Sequence, residues 1–336
     1  MRLSHRNKLF AVCFSTTIFT GMMMIFTIIG GGTMERASII VPGIGFVISL
    51  FEEFYVRGRA GRWLRAMHPA KSIVVYGFLI VGFCMTVMVV VRALFGVEVM
   101  SERPDTIPSL LIQLPVMIAV SITAIMTLRI VGYLGAKNLF QIMIGKYHRP
   151  VLERRIFLFL DIKGSTALVE RLGPIETRAL IGKLFFDISG PVTDHGGEIY
   201  RYTGDGIVAV WDWKQGIANN RIVRTIDAID NAIDHEADYY RSRFGHVPEY
   251  RIGVHGGPIV TSEEGDTKRA IGFYGDTIHI AARLEQKAKE LGVDCVLSGN
   301  IAEHQVGLGD RLRLIGDELV RGISAPIKVY ELRRSG

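Results

Sequence analysis

Two aspartates, Asp161 and Asp205, are the residues of this chain whose type and position best suit chemistry. Asp161 ends an apolar run that starts at Phe157, and Asp205 occupies a Thr-Gly-Asp-Gly turn inside Tyr200–Val210. Two carboxylates at the ends of neighbouring strands can hold a hard divalent cation, usually Mg²⁺, which prefers oxygen ligands and keeps substrate phosphates in its shell. The pair therefore predicts phosphate chemistry.

The segments around the aspartates alternate between strand and helix patterns. Arg155–Asp161 has the apolar run of a buried strand, and Glu176–His195 has apolar residues at helical spacing. Glu198–Trp211 has the pattern of a hairpin with its turn at Asp205, and a further strand follows at Tyr250–Val260. A second helix between them has an isoleucine stripe: Ile222, Ile226, Ile229 and Ile233. This βαββαβ order predicts an α+β, ferredoxin-like domain whose antiparallel sheet brings the two aspartates together.

The part of the chain before residue 135 has the composition of a membrane domain. Hydrophobic residues make up 49% of the 336 residues, the mean hydropathy is +0.29, and the excess lies in this first part. Three segments of about twenty residues lack acidic side chains and can cross a hydrocarbon core of roughly 30 Å: Leu9–Ile29, Ser72–Val91 and Pro108–Leu128. A fourth, Ala37–Phe51, is shorter and contains Pro42, which suits a kinked span or a re-entrant segment. We predict a multi-span α-helical membrane domain over residues 1–134, with four transmembrane helices in the lipid bilayer.

Basic residues set the expected orientation of this domain. Lys and Arg side chains precede the first segment and follow the second: Arg2, Arg6, Lys8, Arg57, Arg59, Arg62, Arg65 and Lys71. Because such clusters stay in the cytoplasm, four crossings return the chain to the cytoplasm before Lys137. No small-residue cleavage site follows the first segment, so we expect an uncleaved, multi-pass protein of the inner (plasma) membrane. A helical linker is predicted over residues 135–153.

Several classes of site are excluded by their missing motifs. Cys13, Cys84 and Cys295 have neither metal-ligand nor disulfide spacing. The histidines form no H-E-x-x-H pattern, and no G-x-x-x-x-G-K-[ST] phosphate loop is present. The formal net charge of +6 accompanies the basic clusters beside the membrane segments and no nucleic-acid motif, so nucleic acid is not an expected partner.

Four motifs in the second half of the chain resemble the class III nucleotidyl cyclases. They are Phe159–Thr166, Tyr202–Gly206, Arg251–Val260 and Gly275–Glu285, and they occur in the family's order. The resemblance covers residues 154–333. It implies a catalytic domain over residues 154–336 that converts a nucleoside triphosphate into a cyclic nucleotide and pyrophosphate.

The resemblance implies roles for the matching residues. Asp161, Asp205 and the backbone carbonyl of Ile162 match the ligands of two metal ions, Mg²⁺ or Mn²⁺. In such enzymes one ion lowers the pKa of the ribose 3′-hydroxyl and the other neutralises the triphosphate. Arg283 matches the arginine that stabilises charge at the α-phosphorus, and Arg321 matches a basic residue that holds the terminal phosphates.

Two further implications concern the phosphates and the assembly. The backbone amides of Lys163, Gly164, Ser165 and Thr166 are candidate phosphate donors, because a helix start offers unpaired N–H groups. In this family the metal residues come from one subunit and the arginine from the other. The resemblance therefore implies a homodimer with two equivalent composite sites.

Three positions depart from the family's pattern. His279 stands where the family usually has an asparagine that orients the ribose, and histidine is larger and can carry charge. Arg201 replaces the lysine that recognises adenine, and Gly272 replaces its aspartate or threonine partner. ATP is the expected substrate because most bacterial-type sequences of this form are adenylate cyclases. GTP and a pyrimidine nucleotide are the alternatives.

Other interpretations of the same residues stay open. Asp161 taken alone suits a helix cap, and Asp205 taken alone suits an ordinary turn residue. A cyclase-fold receptor that binds a nucleotide with little or no turnover is the alternative function. The departures at His279, Arg201 and Gly272 motivate it.

Overall fold

The computed structural model describes residues 144–266, 269–318 and 326–334, with residues 140–142 and isolated positions before them. The chain divides into two compact units at the boundary between Gly145 and Lys146. In the first unit the described positions include helical residues with side-chain hydrogen bonds, such as Thr16 Oγ1 to the carbonyl of Val12 at 2.7 Å. Among the described residues, no helix is both long and apolar enough to span a membrane. Most of the four predicted spans, including all of Pro108–Leu128, lies outside the described residues.

The second unit, hereafter the C-terminal unit, alternates strands and helices. Its strands are β1 (Val151–Ile162), β2 (Glu198–Thr203), β3 (Gly206–Asp212), β4 (Tyr250–Glu264), β5 (Ala270–Tyr274), β6 (Cys295–Ser298), β7 (Leu312–Glu318) and β8 (Ile327–Leu332). Its helices are α1 (Ser165–Asp194), α2 (Trp213–Ile217), α3 (Arg221–His235), α4 (Ala237–Phe244), α5 (Asp276–Leu291) and α6 (Gly299–Ala302). The order β1-α1-β2-β3-α3-β4 confirms the predicted βαββαβ arrangement, and the elements after β4 extend it.

The strands form one mixed sheet of eight strands. Its order is β2-β3-β1-β4-β6-β8-β7, and β5 pairs with the far end of β4. β1 is antiparallel to both of its neighbours, whereas β4 and β6 are parallel. The antiparallel sheet that the sequence predicted is therefore correct around β1, and the β4–β6 pair departs from it. Because β1 lies between β3 and β4, its end is flanked by the β2–β3 turn on one side and by β4 on the other.

The hydrophobic core follows the period-two alternation of β1. Ile156, Leu158 and Leu160 point to the face covered by α1 and α3, where they are essentially fully buried. The isoleucine stripe of α3 packs in the same cluster, as predicted. Phe157 points to the opposite face and packs with Ala281 of α5. Each such large side chain contributes about 1.5–3 kcal/mol by leaving water.

Three element boundaries differ from the sequence-based expectation. β1 begins at Val151 rather than at Arg155, and turns at 144–147 precede it, so the predicted helix does not continue to Pro150. α1 begins at Ser165 and is interrupted at Gly173, whose φ of 78° and ψ of 164° are not helical, so the predicted start at Glu176 matches only its second part. Tertiary contacts override the helical pattern before β1: the carbonyl of Tyr147 accepts a hydrogen bond from the amide of Glu263 at 2.8 Å.

Helix α5 lies very close to the sheet face opposite the main core. A Cβ atom at Gly253 of β4 would lie 2.7 Å from the carbonyl oxygen of Ala281 and in collision with the backbone of Glu285. Only glycine allows this approach, because real Cβ contacts are essentially never shorter than 3.0 Å. The close contact fixes which face of α5 meets β1 and β4, and with it the positions of the predicted site residues on this helix.

Candidate active site

The structure brings Asp161 and Asp205 together, which confirms their predicted convergence. Asp161, next to last in β1, pairs in register with Gly206 of β3, the residue after Asp205. The Asp205 carboxyl is close enough to raise the pKa of the Asp161 carboxyl. A Cβ at Gly206 would lie 3.0 Å from Oδ1 of Asp161 and 2.6 Å from the carbonyl oxygen of Leu160, so the absence of a side chain there makes room for the Asp161 carboxylate.

The electrostatics of this pair suit a cation. Burial raises the pKa of the Asp161 carboxyl to about 6, and the charge and hydrogen bond of Asp205 add to the rise. The positive charges of Arg251 and Lys289 lower the pKa of Asp161 and so oppose this rise. A divalent ion between the two residues would favour the ionised form of Asp161. Carboxylate oxygens are the ligands that Mg²⁺ and Mn²⁺ prefer. Within the described part of the chain no three His, Cys, Asp or Glu side chains form a ligand set. Mg²⁺ usually keeps several waters and substrate phosphates in its shell.

Glu285 of α5 is a third carboxylate at this place, and sequence reasoning missed its position. Burial raises the pKa of the Glu285 carboxyl to about 7, and the Asp161 charge adds to the rise. Arg251 and Lys289 oppose the rise for Glu285 as they do for Asp161. Glu285 ends the last of the four motifs, but only the docking of α5 at Gly253 determines that its side chain faces the aspartates.

The turn between β1 and α1 narrows the set of candidate phosphate donors. The amide of Lys163 donates to the carbonyl of Glu249 at 2.8 Å, and its ammonium group pairs with Asp294 and, at 3.3 Å, with Glu249. Lys163 is therefore engaged in structural contacts. The N-cap of α1 is Gly164 in the left-handed conformation, with φ 67°, and it lacks a side-chain cap, so Asp161 is not the helix cap that the alternative interpretation assumed.

The remaining amides of the predicted donor set are those of Gly164, Ser165 and Thr166, at the start of a long helix. Their N–H groups belong to the first turn, where an α-helix offers donors to anions. Ile162, the last residue of β1, is next to Asp161, so its carbonyl lies at the same strand end. The phosphate and metal roles of these backbone groups stay predictions.

Arg283 and His279 both lie on α5, four residues apart and therefore on the same side of the helix. His279 is exposed and Arg283 is half-buried. Successive helical residues are rotated by about 100°, so Arg283 is about 200° around the axis from Glu285. Because the side of α5 that carries Ala281 and Glu285 lies against β4 at Gly253, Arg283 projects away from the sheet of its own chain. Arg321 lies outside the described residues.

An aromatic contact links the strands that carry Arg201 and Gly272. The Arg201 guanidinium lies 5.3 Å from the ring centroid of Tyr200, and that ring lies 4.8 Å from the ring of Phe273, the neighbour of Gly272. The space above Gly272 is filled by Glu264, since a Cβ there would lie 2.7–2.9 Å from the Glu264 carboxylate atoms. Glu264 is the second residue that sequence reasoning missed.

His255, on the β4 face that α5 covers, is buried to 4% exposure, and its Nδ1 has no hydrogen-bond partner among the described residues. Burial lowers its pKa to about 4. The unfolded chain, with a histidine pKa near 6.5, binds the proton first as the pH falls, so native stability is lost between pH 6.5 and 4. We expect this one group to contribute a loss of about 3 kcal/mol over that range.

Urea unfolding at pH 7 and pH 5, followed by tryptophan fluorescence, measures the loss. The His255→Gln variant should show a smaller pH dependence than the wild type, and His304→Gln, which changes an exposed histidine, should not. An equal pH dependence in the wild type and His255→Gln would contradict the assignment of a neutral, buried imidazole.

Comparisons with known proteins agree with this geometry. Residues 152–305 match the family model described as the adenylate and guanylate cyclase catalytic domain. "Adenylate cyclase 2" of Rhizobium meliloti (strain 1021) is 30% identical over 318 residues, which cover 93% of this chain and 87% of that protein. "Adenylate cyclase 1" of the same organism is 27% identical over 180 residues, which cover 52% of this chain but only 27% of that protein. A solved bacterial light-regulated adenylyl cyclase superposes with a TM-score of 0.57 at 19% identity, covering 69% of this chain and 66% of that one, which shows a common fold.

Proposed function

The chain belongs to the adenylate and guanylate cyclase family, and on that premise we propose that it is an adenylate cyclase, which converts ATP into 3′,5′-cyclic AMP and pyrophosphate. The observation that carries the proposal is the convergence of Asp161 and Asp205, since the end of β1 pairs with the start of β3 and Asp205 raises the pKa of the Asp161 carboxyl. The names of the two Rhizobium relatives support ATP as the substrate.

The two aspartates and the carbonyl of Ile162 would hold two Mg²⁺ or Mn²⁺ ions. When bound, these ions supply activation of the ribose 3′-hydroxyl and neutralisation of the triphosphate charge. The amides of Gly164, Ser165 and Thr166 bind phosphate oxygens at the start of α1. Arg283 donates hydrogen bonds to the oxygens of the α-phosphate as charge develops there, a task that suits a planar guanidinium group. His279 orients the ribose and Arg321 holds the terminal phosphates.

The working form is a homodimer with two composite sites. Within one chain, Glu285 faces the aspartates and Arg283 projects from the other side of the same helix. A single chain therefore does not place Arg283 beside its own Asp161. A two-fold partner that meets this side of α5 would add Arg283 to the other chain's aspartates, and the symmetry would complete both sites at once.

The first part of the chain anchors the protein in the inner membrane, with the C-terminal unit in the cytoplasm. The apolar segments before residue 135 and their flanking basic clusters support this proposal. Sedimentation with membranes after carbonate extraction tests it, and release into the supernatant would contradict it.

A product assay tests the enzymatic proposal. The 336-residue chain is incubated separately with ATP, GTP, CTP and UTP in the presence of Mn²⁺, and the products are identified by mass spectrometry. We expect cyclic AMP and pyrophosphate from ATP. Cyclic GMP or a cyclic pyrimidine nucleotide as the main product would contradict the choice of base. No product from any of the four would contradict the enzyme and favour the nucleotide-binding receptor.

A further inference from the structure

Gly272 leaves a gap at a base-recognition position of the family's pattern, and the structure fills that gap from a different strand. Glu264 of β4 is the cross-strand diagonal neighbour of Gly272, since Ser262 pairs with Gly272 and Glu264 pairs with Ala270. On this face of the hairpin the Glu264 carboxylate lies where a side chain at position 272 would begin, 2.7–2.9 Å from the position of its Cβ. A carboxylate is thus supplied although residue 272 has none.

The Glu264 carboxylate is held in this position by a neighbouring phenol. The hydroxyl of Tyr274, the next residue on the same face of β5, donates a hydrogen bond to Oε2 of Glu264. A carboxylate has two oxygens with about four acceptor sites, so this bond leaves acceptor capacity for a ligand. Glu264 is only half-buried, so a ligand can reach it.

The strand that carries Arg201 contacts this hairpin through aromatic rings. Arg201 lies over the ring of Tyr200, whose ring packs edge-on against Phe273. Burial raises the pKa of the Tyr200 phenol, the Arg201 guanidinium acts in the opposite direction, and the Glu264 carboxylate adds to the rise. The contact between Tyr200 and Phe273 therefore joins the strand of Arg201 to the hairpin of Glu264.

We propose that Glu264, in place of a side chain at position 272, accepts a hydrogen bond from the 6-amino group of adenine, while Arg201 donates to the adjacent ring nitrogen N1. This proposal rests on the proposed function as an adenylate cyclase. The chemistry favours adenine over a 6-oxo purine, because the 6-oxo group presents an acceptor to the carboxylate and the protonated N1 presents a donor to the arginine. Both contacts then become repulsive, and a site built to hydrogen-bond one substrate discriminates strongly against an analogue that leaves its polar groups without partners.

Inosine triphosphate tests recognition of the base directly, because it differs from ATP only in the 6-substituent and in the proton on N1. For the wild-type chain, kcat/KM should be much higher with ATP than with inosine triphosphate. In Glu264→Ala this ratio should fall by about 10- to 100-fold, the range expected for the loss of a hydrogen bond to a charged group. In Glu264→Gln the amide can donate to the 6-oxo group, so kcat/KM for inosine triphosphate should rise above its wild-type value.

The gain in Glu264→Gln separates base recognition from a structural role, because damage to the fold cannot raise turnover of one substrate. Asp266→Asn, which removes an exposed carboxylate from the same hairpin, is the matched control and should keep the wild-type ratio. If the wild type prefers ATP but neither Glu264 variant changes the ratio, the role of Glu264 is overturned while the proposed function stands. If the wild type turns over neither purine nucleotide, the proposed function itself fails.

Discussion

Replacing Asp161 or Asp205 by asparagine should reduce cyclic AMP formation by roughly 10³-fold, because metal ions supply several kcal/mol of transition-state stabilisation and each 1.36 kcal/mol is a factor of ten. The loss should persist at saturating ATP and Mn²⁺. It should come without a loss of stability. Burial and the neighbouring carboxylate already disfavour the ionised form of Asp161. A neutral side chain of the same shape therefore removes the unfavourable free energy of a buried negative charge.

Initial rates and thermal unfolding of the same preparations give both readouts. The Asp161→Asn variant should have a midpoint of unfolding equal to or above that of the wild type. Asp194→Asn is the matched control, since Asp194 is an exposed carboxylate at the end of α1 and should keep both properties. An Asp161 variant that retains more than about a tenth of the wild-type rate would mean that the cations are held elsewhere.

The parts of the site that local patterns specify were predictable from the sequence. The apolar run before Asp161 makes β1 a central strand, and the Thr-Gly-Asp-Gly turn makes a hairpin with Asp205 at its tip. Because β1 and β3 are adjacent, the two carboxylates must meet. The isoleucine stripe of α3, which begins at Ile222, was equally predictable, because its helical spacing places the apolar side chains on one face that must be buried.

The residues that sequence reasoning missed depend on long-range register and docking. The position of Glu264 above Gly272 is set by the pairing of β4 with β5, and a slip of one residue would place its side chain on the opposite face. Glu285 reaches the aspartates only because Gly253 lets α5 lie against β4. Neither contact can be predicted from a local sequence pattern. Each joins two segments that are distant in the sequence, and the pattern of each segment alone does not indicate its partner.

The segment before β1 shows how tertiary contacts defeat a helical pattern. Tyr147 is buried to 3% exposure, and its hydroxyl accepts a hydrogen bond from the Arg155 guanidinium at 2.9 Å. Its carbonyl accepts another from the amide of Glu263. Arg155 also pairs with Glu153 at 2.8 Å, and this largely buried group of charges requires the turn at 144–147 to stay in place. Spacing of apolar residues alone could not reveal it.

Co-expression of two inactive chains should restore activity if the sites are composite. Arg283→Ala alone should lose about 10²–10³-fold in rate, the range for removal of a donor that stabilises developing charge. Asp161→Asn alone should be comparably impaired. When the two chains mix freely, half of the dimers are mixed, and each mixed dimer has one site in which both lesions fall and one in which neither does. The mixture should therefore show about a quarter of the wild-type rate, far above either variant alone.

Asp161→Asn mixed with Asp205→Asn is the matched control, because both lesions affect the same half of a site and every mixed dimer keeps two damaged sites. This pair should stay inactive. Each of the two chains carries a different affinity tag. Purification on one tag and then on the other isolates the mixed dimers and establishes that they form in both experiments. Restoration by the Arg283 pair and not by the control pair is the result that the outward position of Arg283 on α5 predicts. Mixed dimers of the Arg283 pair without activity would mean that each chain carries its own complete site.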